Sequence, residues 1–264
     1  MQDNYVVQWG DPNYDNPEAT GEAKALPDGL KVMGEADYVT TNLDATKAIV
    51  SLLANMPAQD LTDEQFATAI GQIDLVSIKQ RKDKADLALG ADTYSRKTLF
   101  GLGWPLGQDG QELNSKAWPV HCYGMVGVGR GYSPDTGSGA ELYTVIGHAP
   151  RHLDRNIALV GRIIEGMEHL SSLPRGSGVL GFYAEDEFDK RTPILSIDVA
   201  ADLMEAEEVP AGLTYAYEYL STESETFARY AEARANRRDP FFIHPAGGAD
   251  ICNIPVPVRP APNG

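Results

Sequence analysis

Between Val120 and Val199 one pattern recurs: a short apolar run rich in β-branched residues, closed by glycine, proline or charge. The runs Gly124 to Val128, Leu142 to Ile146, Ile157 to Ile164 and Ile194 to Val199 suit strands, which usually extend over about 3–10 residues. Ile194-Leu195-Ser196-Ile197-Asp198-Val199 alternates as a strand with one buried face does. Strands therefore outnumber helices in the middle of the chain. Gly127, Gly129 and Gly131 have no following lysine-serine pair and no following helix, so they are read as close strand packing rather than a phosphate loop.

Tyr5-Val6-Val7-Gln8-Trp9 is a further short strand, stopped by Gly10-Asp11-Pro12. From Lys47, the positions Ala48, Ile49, Leu52, Leu53 and Met56 follow helical spacing, and Thr62-Asp63-Glu64-Gln65 is a capping box opening a helix through Phe66 and Ile70. This predicts a small helical insert. The glycines and prolines of Gly101-Leu102-Gly103-Trp104-Pro105 predict a break in regular structure. Glu165 to Leu170 opens a short helix. Near the end, Thr222-Glu223-Ser224-Glu225 is another capping box, followed by an apolar face of Phe227, Tyr230 and Ala231 before Asp239-Pro240. The apolar, proline-punctuated remainder, Phe241 to Ile243 and Ile254 to Val258, is expected to lie extended on the domain.

Composition excludes several classes. A formal net charge of −16, from 38 acidic against 22 basic residues, repels phosphates and anionic lipid, so nucleic acid is not an expected partner. No uninterrupted apolar run approaches the roughly 20 residues of a membrane-spanning helix. Met1-Gln2-Asp3-Asn4 lacks the basic start and apolar stretch of a signal peptide. His148 and His152 are four apart, but Pro150 lies between them and no third ligand suggests itself, so no metal site is assigned.

Glu141 to Met167, containing His152-Leu153-Asp154 and Leu159-Val160-Gly161-Arg162-Ile163-Ile164-Glu165-Gly166-Met167, resembles the HLDGKxxxFGRVxEGM segment of cyclophilin-type peptidyl-prolyl cis-trans isomerases. Tyr5 to Pro12 resembles that family's FxxQGGDP strand, Gly124 to Val128 its GxxSM strand, and Ile194 to Val199 its final strand. The four matches keep the family order. Trp118 to Arg130 and Phe241 to Arg259 are similar to segments of a large bacterial subgroup whose members are often exported.

The resemblance implies a mainly β fold with helices: a cyclophilin-like eight-stranded barrel, incomplete at the N-terminus, with a helical insert, a C-terminal helix and an extended tail. Residues 1–200 would form the cyclophilin-like domain, with the insert at about 34–100, and residues 201–264 the docked helix and tail. It implies isomerisation of prolyl bonds in protein folding, impaired in this form, with non-catalytic peptide binding or an inactive fragment as the alternatives. The partners would be proline-containing polypeptides, met by a monomer without cofactor. The compartment would be the periplasm or beyond if a signal precedes this chain, and the cytoplasm otherwise.

Carried over residue by residue, the resemblance puts Tyr5 and Val6 at a pocket phenylalanine and methionine. Gln8 falls at the backbone-binding glutamine, Tyr143 at the second pocket phenylalanine and Leu153 at a pocket leucine. His152 falls where members carry tryptophan or histidine. Three positions depart from the pattern: Arg130 stands for an asparagine, Glu141 for a glutamine and Ile157 for a pocket-edge histidine. One extra residue near Arg151 separates Tyr143 from Leu153. No residue is assigned as catalytic, because the family arginine would lie one residue before Met1.

Cys122 and Cys252 have neither zinc-ligand nor redox-motif spacing. The proline-rich tail carrying Cys252 needs an anchor, and Cys122 sits where a predicted barrel strand begins. Two readings stay open: a Cys122–Cys252 disulfide, or two buried thiols packing as small hydrophobes.

Overall fold

The structure, a computed structural model, describes residues 4–11, 25–30, 32–42, 44, 47–48, 92–110, 112, 114–205 and 216–262. The strands are β1 (Val6–Gly10), β2 (Thr40–Thr41), β3 (Lys97–Gly101), β4 (Trp104–Gln108), β5 (Lys116–Pro119), β6 (Met125–Val128), β7 (Glu141–Val145), β8 (Leu159–Arg162), β9 (Tyr217–Tyr219) and β10 (Val258–Pro260). They form two four-stranded sheets, ordered β1-β7-β6-β8 and β2-β5-β4-β3, and a two-stranded ribbon of β9 and β10. All pairings are antiparallel. Among the described residues, the helices with defined bounds are α1 (Met167–Ser171), α2 (Ala200–Glu205) and α3 (Glu225–Ala235).

Antiparallel ladders set β1 and β7 so that Val6 faces Val145, Gln8 faces Tyr143 and Gly10 faces Glu141. Because side chains alternate across a strand, Val6, Gln8, Glu141 and Tyr143 share one face. Val6, Tyr143 and Val145 enter the main core with Phe100, Val120, Cys122, Met125, Phe227, Ala231, Ile251 and Ile254. That core therefore joins both sheets, α3 and the tail.

The glycines and prolines after Gly101 do not end regular structure. They form the turn of a hairpin in which Leu99 pairs with Leu106 and Phe100 with Pro105. Leu102 and Gly103 both have positive φ, 51° and 79°, the left-handed pair that matches strand twist in a two-residue hairpin turn. Pro105 is tolerated because a proline needs only a ladder position where no N–H is called on.

Ile194 to Val199 is not a strand. It has no ladder partner among the described residues, and Leu195 and Ile197 are 92% and 73% exposed. Alternation qualifies a segment for a strand, but only a neighbouring sheet edge supplies the bonds.

Strand propensity in Ile157 to Ile164 is realised in β8 alone. The C-terminal capping box shifts by two residues: Ser224 is the N-cap, its Oγ accepting from the Phe227 N–H at 3.1 Å. Thr222 and Glu223 instead bind the β3–β4 turn, Thr222 Oγ1 accepting from Gly103 N and Glu223 Oε1 from Leu102 N. The tail divides. Ile254 and Val256 are buried, whereas Phe241 and Ile243 are exposed, and Val258 to Pro260 pairs as β10. Within the expected insert, Tyr38 is buried and β2 and β3 join the second sheet; Lys47 and Ala48 are helical. The helical positions from Ile49 to Ile70 lie outside the described residues.

A disulfide joins Cys122 to Cys252, with 5.1 Å between their Cα atoms. It ties the tail to the chain just before β6.

Candidate functional site

The face shared by β1 and β7 carries four of the nine residues that the sequence singles out: Val6, Gln8, Glu141 and Tyr143. The Gln8 amide donates to Glu141 Oε1, a diagonal pair across the two strands. Val6 and Tyr143 are buried beneath. Tyr5, immediately before β1, stacks on His152 with ring centroids 6.1 Å apart and planes 12° from parallel. The Tyr5 hydroxyl lies 3.4 Å from His152 Nε2, and burial pushes the Tyr5 phenol pKa above its ordinary value.

His152 and Leu153 come from a single 3-10 turn, Arg151–Leu153. His152 is exposed; Leu153 and Ile157 are half-buried against the main core. Arg130 stands apart from the Gln8–Glu141 pair. Its Nε and Nη2 donate to Asn156 O at 2.9 and 2.7 Å, and its Nη1 donates to Gly131 O at 2.7 Å. It thus fastens the loop after β6 to the loop before β8.

Gly127 makes room for Tyr143. A Cβ there would fall 2.3 Å from both Cζ and Oη of the tyrosine, so the close approach foreseen at this glycine is by a ring rather than a backbone. At Gly129 the approach is by backbone, with Glu141 O 3.2 Å from the equivalent point.

Beneath this face lies a buried polar chain that the sequence reading did not assign. Arg151 donates through Nη1 to Asp92 Oδ2 at 2.5 Å and through Nε to Asp154 Oδ2 at 2.6 Å. Asp154 Oδ1 accepts from the His121 backbone N–H at 3.0 Å and faces His121 Nδ1 at 2.9 Å. His121 Nε2 lies 2.8 Å from the Tyr143 hydroxyl, and the two rings are stacked 8° from parallel. His121 is 1% exposed, Asp154 3% and Arg151 6%. Buried charges persist only when paired and hydrogen-bonded: Arg151 is paired with Asp92 and Asp154, although its Nη2 is buried with no hydrogen-bond partner among the described residues.

Burial works against the Arg151 charge, but Asp154 and then Asp92 outweigh it and hold its pKa above the ordinary value. For Asp92, burial raises the carboxyl pKa, but the Arg151 hydrogen bond, the Tyr94 N–H and Ser95 together bring it below the ordinary range. Burial pushes the Tyr143 phenol far up. Part of the signal for this chain was present in the sequence: Asp154 follows His152-Leu153, and one extra residue stands near Arg151. What was missing was the contact with His121 and Asp92, which lie 33 and 59 positions away.

A separate cleft of about 220 Å³ opens beside the disulfide, lined by Phe100, Met125, Arg162, Ile164, Ile254 and Val256 among others. None of the nine residues assigned to peptide binding lines it.

The family model for cyclophilin type peptidyl-prolyl cis-trans isomerase/CLD matches residues 1–199. The chain belongs to the cyclophilin-type isomerase family. A solved structure, cyclophilin AquaCyp293 from Hirschia baltica, is 18% identical, with 64% of this chain and 49% of that chain covered and a TM-score of 0.34. This chain thus spans about half of that cyclophilin's length. No curated protein matches. The mainly β architecture, with few helices, is that of the family.

Proposed function

We propose that this chain is a peptidyl-prolyl cis-trans isomerase assisting protein folding, and that it holds proline-containing polypeptides on the β1–β7 face. The reading is carried by family membership over residues 1–199. It is supported by the pairing of β1 with β7, which gathers Val6, Gln8, Glu141 and Tyr143 on one face beside the Tyr5–His152 stack.

Rotation about a peptide bond crosses a barrier of about 18–20 kcal/mol, and a prolyl bond left alone takes tens to hundreds of seconds. A catalyst has to bind the twisted amide better than the planar one. Val6, Tyr143, Leu153 and Ile157 belong to one apolar cluster, a lining of the kind that suits a proline ring. Gln8 suits the flanking backbone, since an amide side chain both donates to C=O and accepts from N–H. Tyr5, packed against the same cluster, carries the stacked His152.

A binding module without catalysis is the second reading, and one observation favours it. Arg130 is the single guanidinium among the nine assigned residues, and its Nε, Nη1 and Nη2 are all engaged with backbone carbonyls. Electrostatic stabilisation of a twisted amide requires a donor aimed at it. A protease-coupled assay on a proline tetrapeptide separates the two: acceleration above the uncatalysed rate supports the isomerase. Peptide-induced NMR shifts without acceleration leave the binding module. Neither acceleration nor shifts would overturn both readings.

Export to an oxidising compartment is part of the proposal. The Cys122–Cys252 bond supports it, because such bonds persist where thiols are not kept reduced. The partners under this reading are polypeptides alone, met by a monomer, and the −16 charge turns nucleic acid away. Thiol counting on protein from the periplasmic fraction tests the compartment: two free thiols there would overturn it.

A further inference from the structure

Tyr143 brings a hydroxyl to the apolar face assigned to proline, and a buried hydroxyl needs a partner. Its hydrogen bond is to His121 Nε2, at 2.8 Å. The direction of that bond follows from the other end of the ring. Asp154 is paired through Oδ2 with Arg151 Nε, and its Oδ1 already accepts from the His121 backbone. A carboxylate offers only lone pairs, so the nearby Nδ1, at 2.9 Å, carries a proton. In a neutral imidazole the other nitrogen is then an acceptor, and the Tyr143 hydroxyl donates to it. The opposite arrangement, an imidazolium donating to Tyr143, would turn the phenol proton away from its one hydrogen-bond partner and towards the apolar side chains packed around the ring, at the cost of an unsatisfied buried donor.

We propose that His121, oriented by Asp154, is a positioning residue that turns the Tyr143 hydroxyl inward, so that the tyrosine presents an apolar ring to the substrate proline. This inference rests on the peptide-binding reading of the β1–β7 face. The groups facing His121 and Tyr143 are Asp154 and Arg151 from the 3-10 turn region, Asp92 beyond them, Tyr5 before β1 and Arg130 after β6. Gly127, with no side chain, completes the ring's seat. Without His121 the hydroxyl would lose the hydrogen bond that holds it and would have to turn elsewhere for a partner.

Two measurements on the whole chain test this. Nitrogen-15 shifts of His121 report the tautomer without any peptide: Nδ1 should be pyrrole-like and Nε2 pyridine-like, and a protonated Nε2 would overturn the proposal. Peptide titrations then compare His121→Leu with the double variant His121→Leu/Tyr143→Phe, each checked for native near-ultraviolet dichroism. The single variant should bind a proline peptide about tenfold more weakly, the order expected for an unpaired polar group in an apolar site. The double variant should recover most of that loss, because it removes the hydroxyl that His121 restrains. No recovery would overturn the positioning role, since a merely structural histidine would leave both variants equally impaired. Should either variant fail to fold, the tautomer measurement decides alone. If the unaltered chain binds no proline peptide, the reading of the face fails while the nitrogen shifts still judge the hydrogen-bond direction.

Discussion

Cys252 is bonded to Cys122 across 130 positions of sequence, with the two Cα atoms 5.1 Å apart. Ile251, next to Cys252, and Ile254, two positions beyond it, are 2% and 1% exposed, so the bond and the apolar tail hold the same contact. A cross-link of this span restricts the unfolded chain strongly, with typical contributions of about 2–4 kcal/mol. Cys252→Ser should lower unfolding free energy by about that amount. Denaturant titration checks it, and an unchanged midpoint would show that tail burial suffices without the bond.

Gly127→Ala should be costly although alanine suits a strand better than glycine. The added Cβ would stand 2.3 Å from the Tyr143 ring, and overpacking of a tight site costs about 1–3 kcal/mol. The ring can escape only by leaving His121, so peptide affinity should fall with stability. Thermal melting and peptide titration together check this; a stable variant with intact binding would show that the ring has room to move.

The β3–β4 turn is held from outside by the residues that precede α3. Glu223 Oε1 accepts from Leu102 N at 2.9 Å, and Thr222 Oγ1 from Gly103 N at 3.1 Å. Glu223→Ala leaves the part-buried Leu102 amide without its acceptor, a loss of about 1 kcal/mol. The expected signature is local: faster hydrogen exchange at Leu102 and Gly103, with little change along β6 and β7. Uniform acceleration would mean that the turn opens only with the whole domain.

Asp92 gives the protein a dependence on acid. Its pKa is below the unfolded value, because the Arg151 hydrogen bond and neighbouring N–H groups outweigh the effect of burial. The folded state therefore binds this proton less readily than the unfolded chain. The stabilisation is fully present above the unfolded carboxyl pKa, about 3.9, and is lost as pH falls through the lower folded value. Asp92→Asn should flatten the decline of stability below about pH 4 while lowering stability at neutral pH. Denaturant titrations at several pH values check it, and parallel curves for the two proteins would show that Asp92 does not carry the effect.

Much of this architecture was readable along the chain because the relevant physics is local. β1, β6 and β7 follow from short β-branched runs between turn residues, and α3 follows from a cap and an apolar stripe at helical spacing. The family motif around His152-Leu153-Asp154 likewise survives as a linear pattern. Tertiary structure decided the rest, for reasons that no local pattern contains. Gly101 to Pro105 became a hairpin turn because the left-handed pair Leu102 and Gly103 is held by Thr222 and Glu223, some 120 positions away. Ile194 to Val199 carries the alternation of a strand but lies beside no described sheet edge, and a ladder bond needs two chains. Arg151 had no assigned role in the sequence, and only the fold brings Asp92 and Asp154 to it. A sequence shows which groups would be expensive to bury; only the folded chain shows which partner makes each burial affordable.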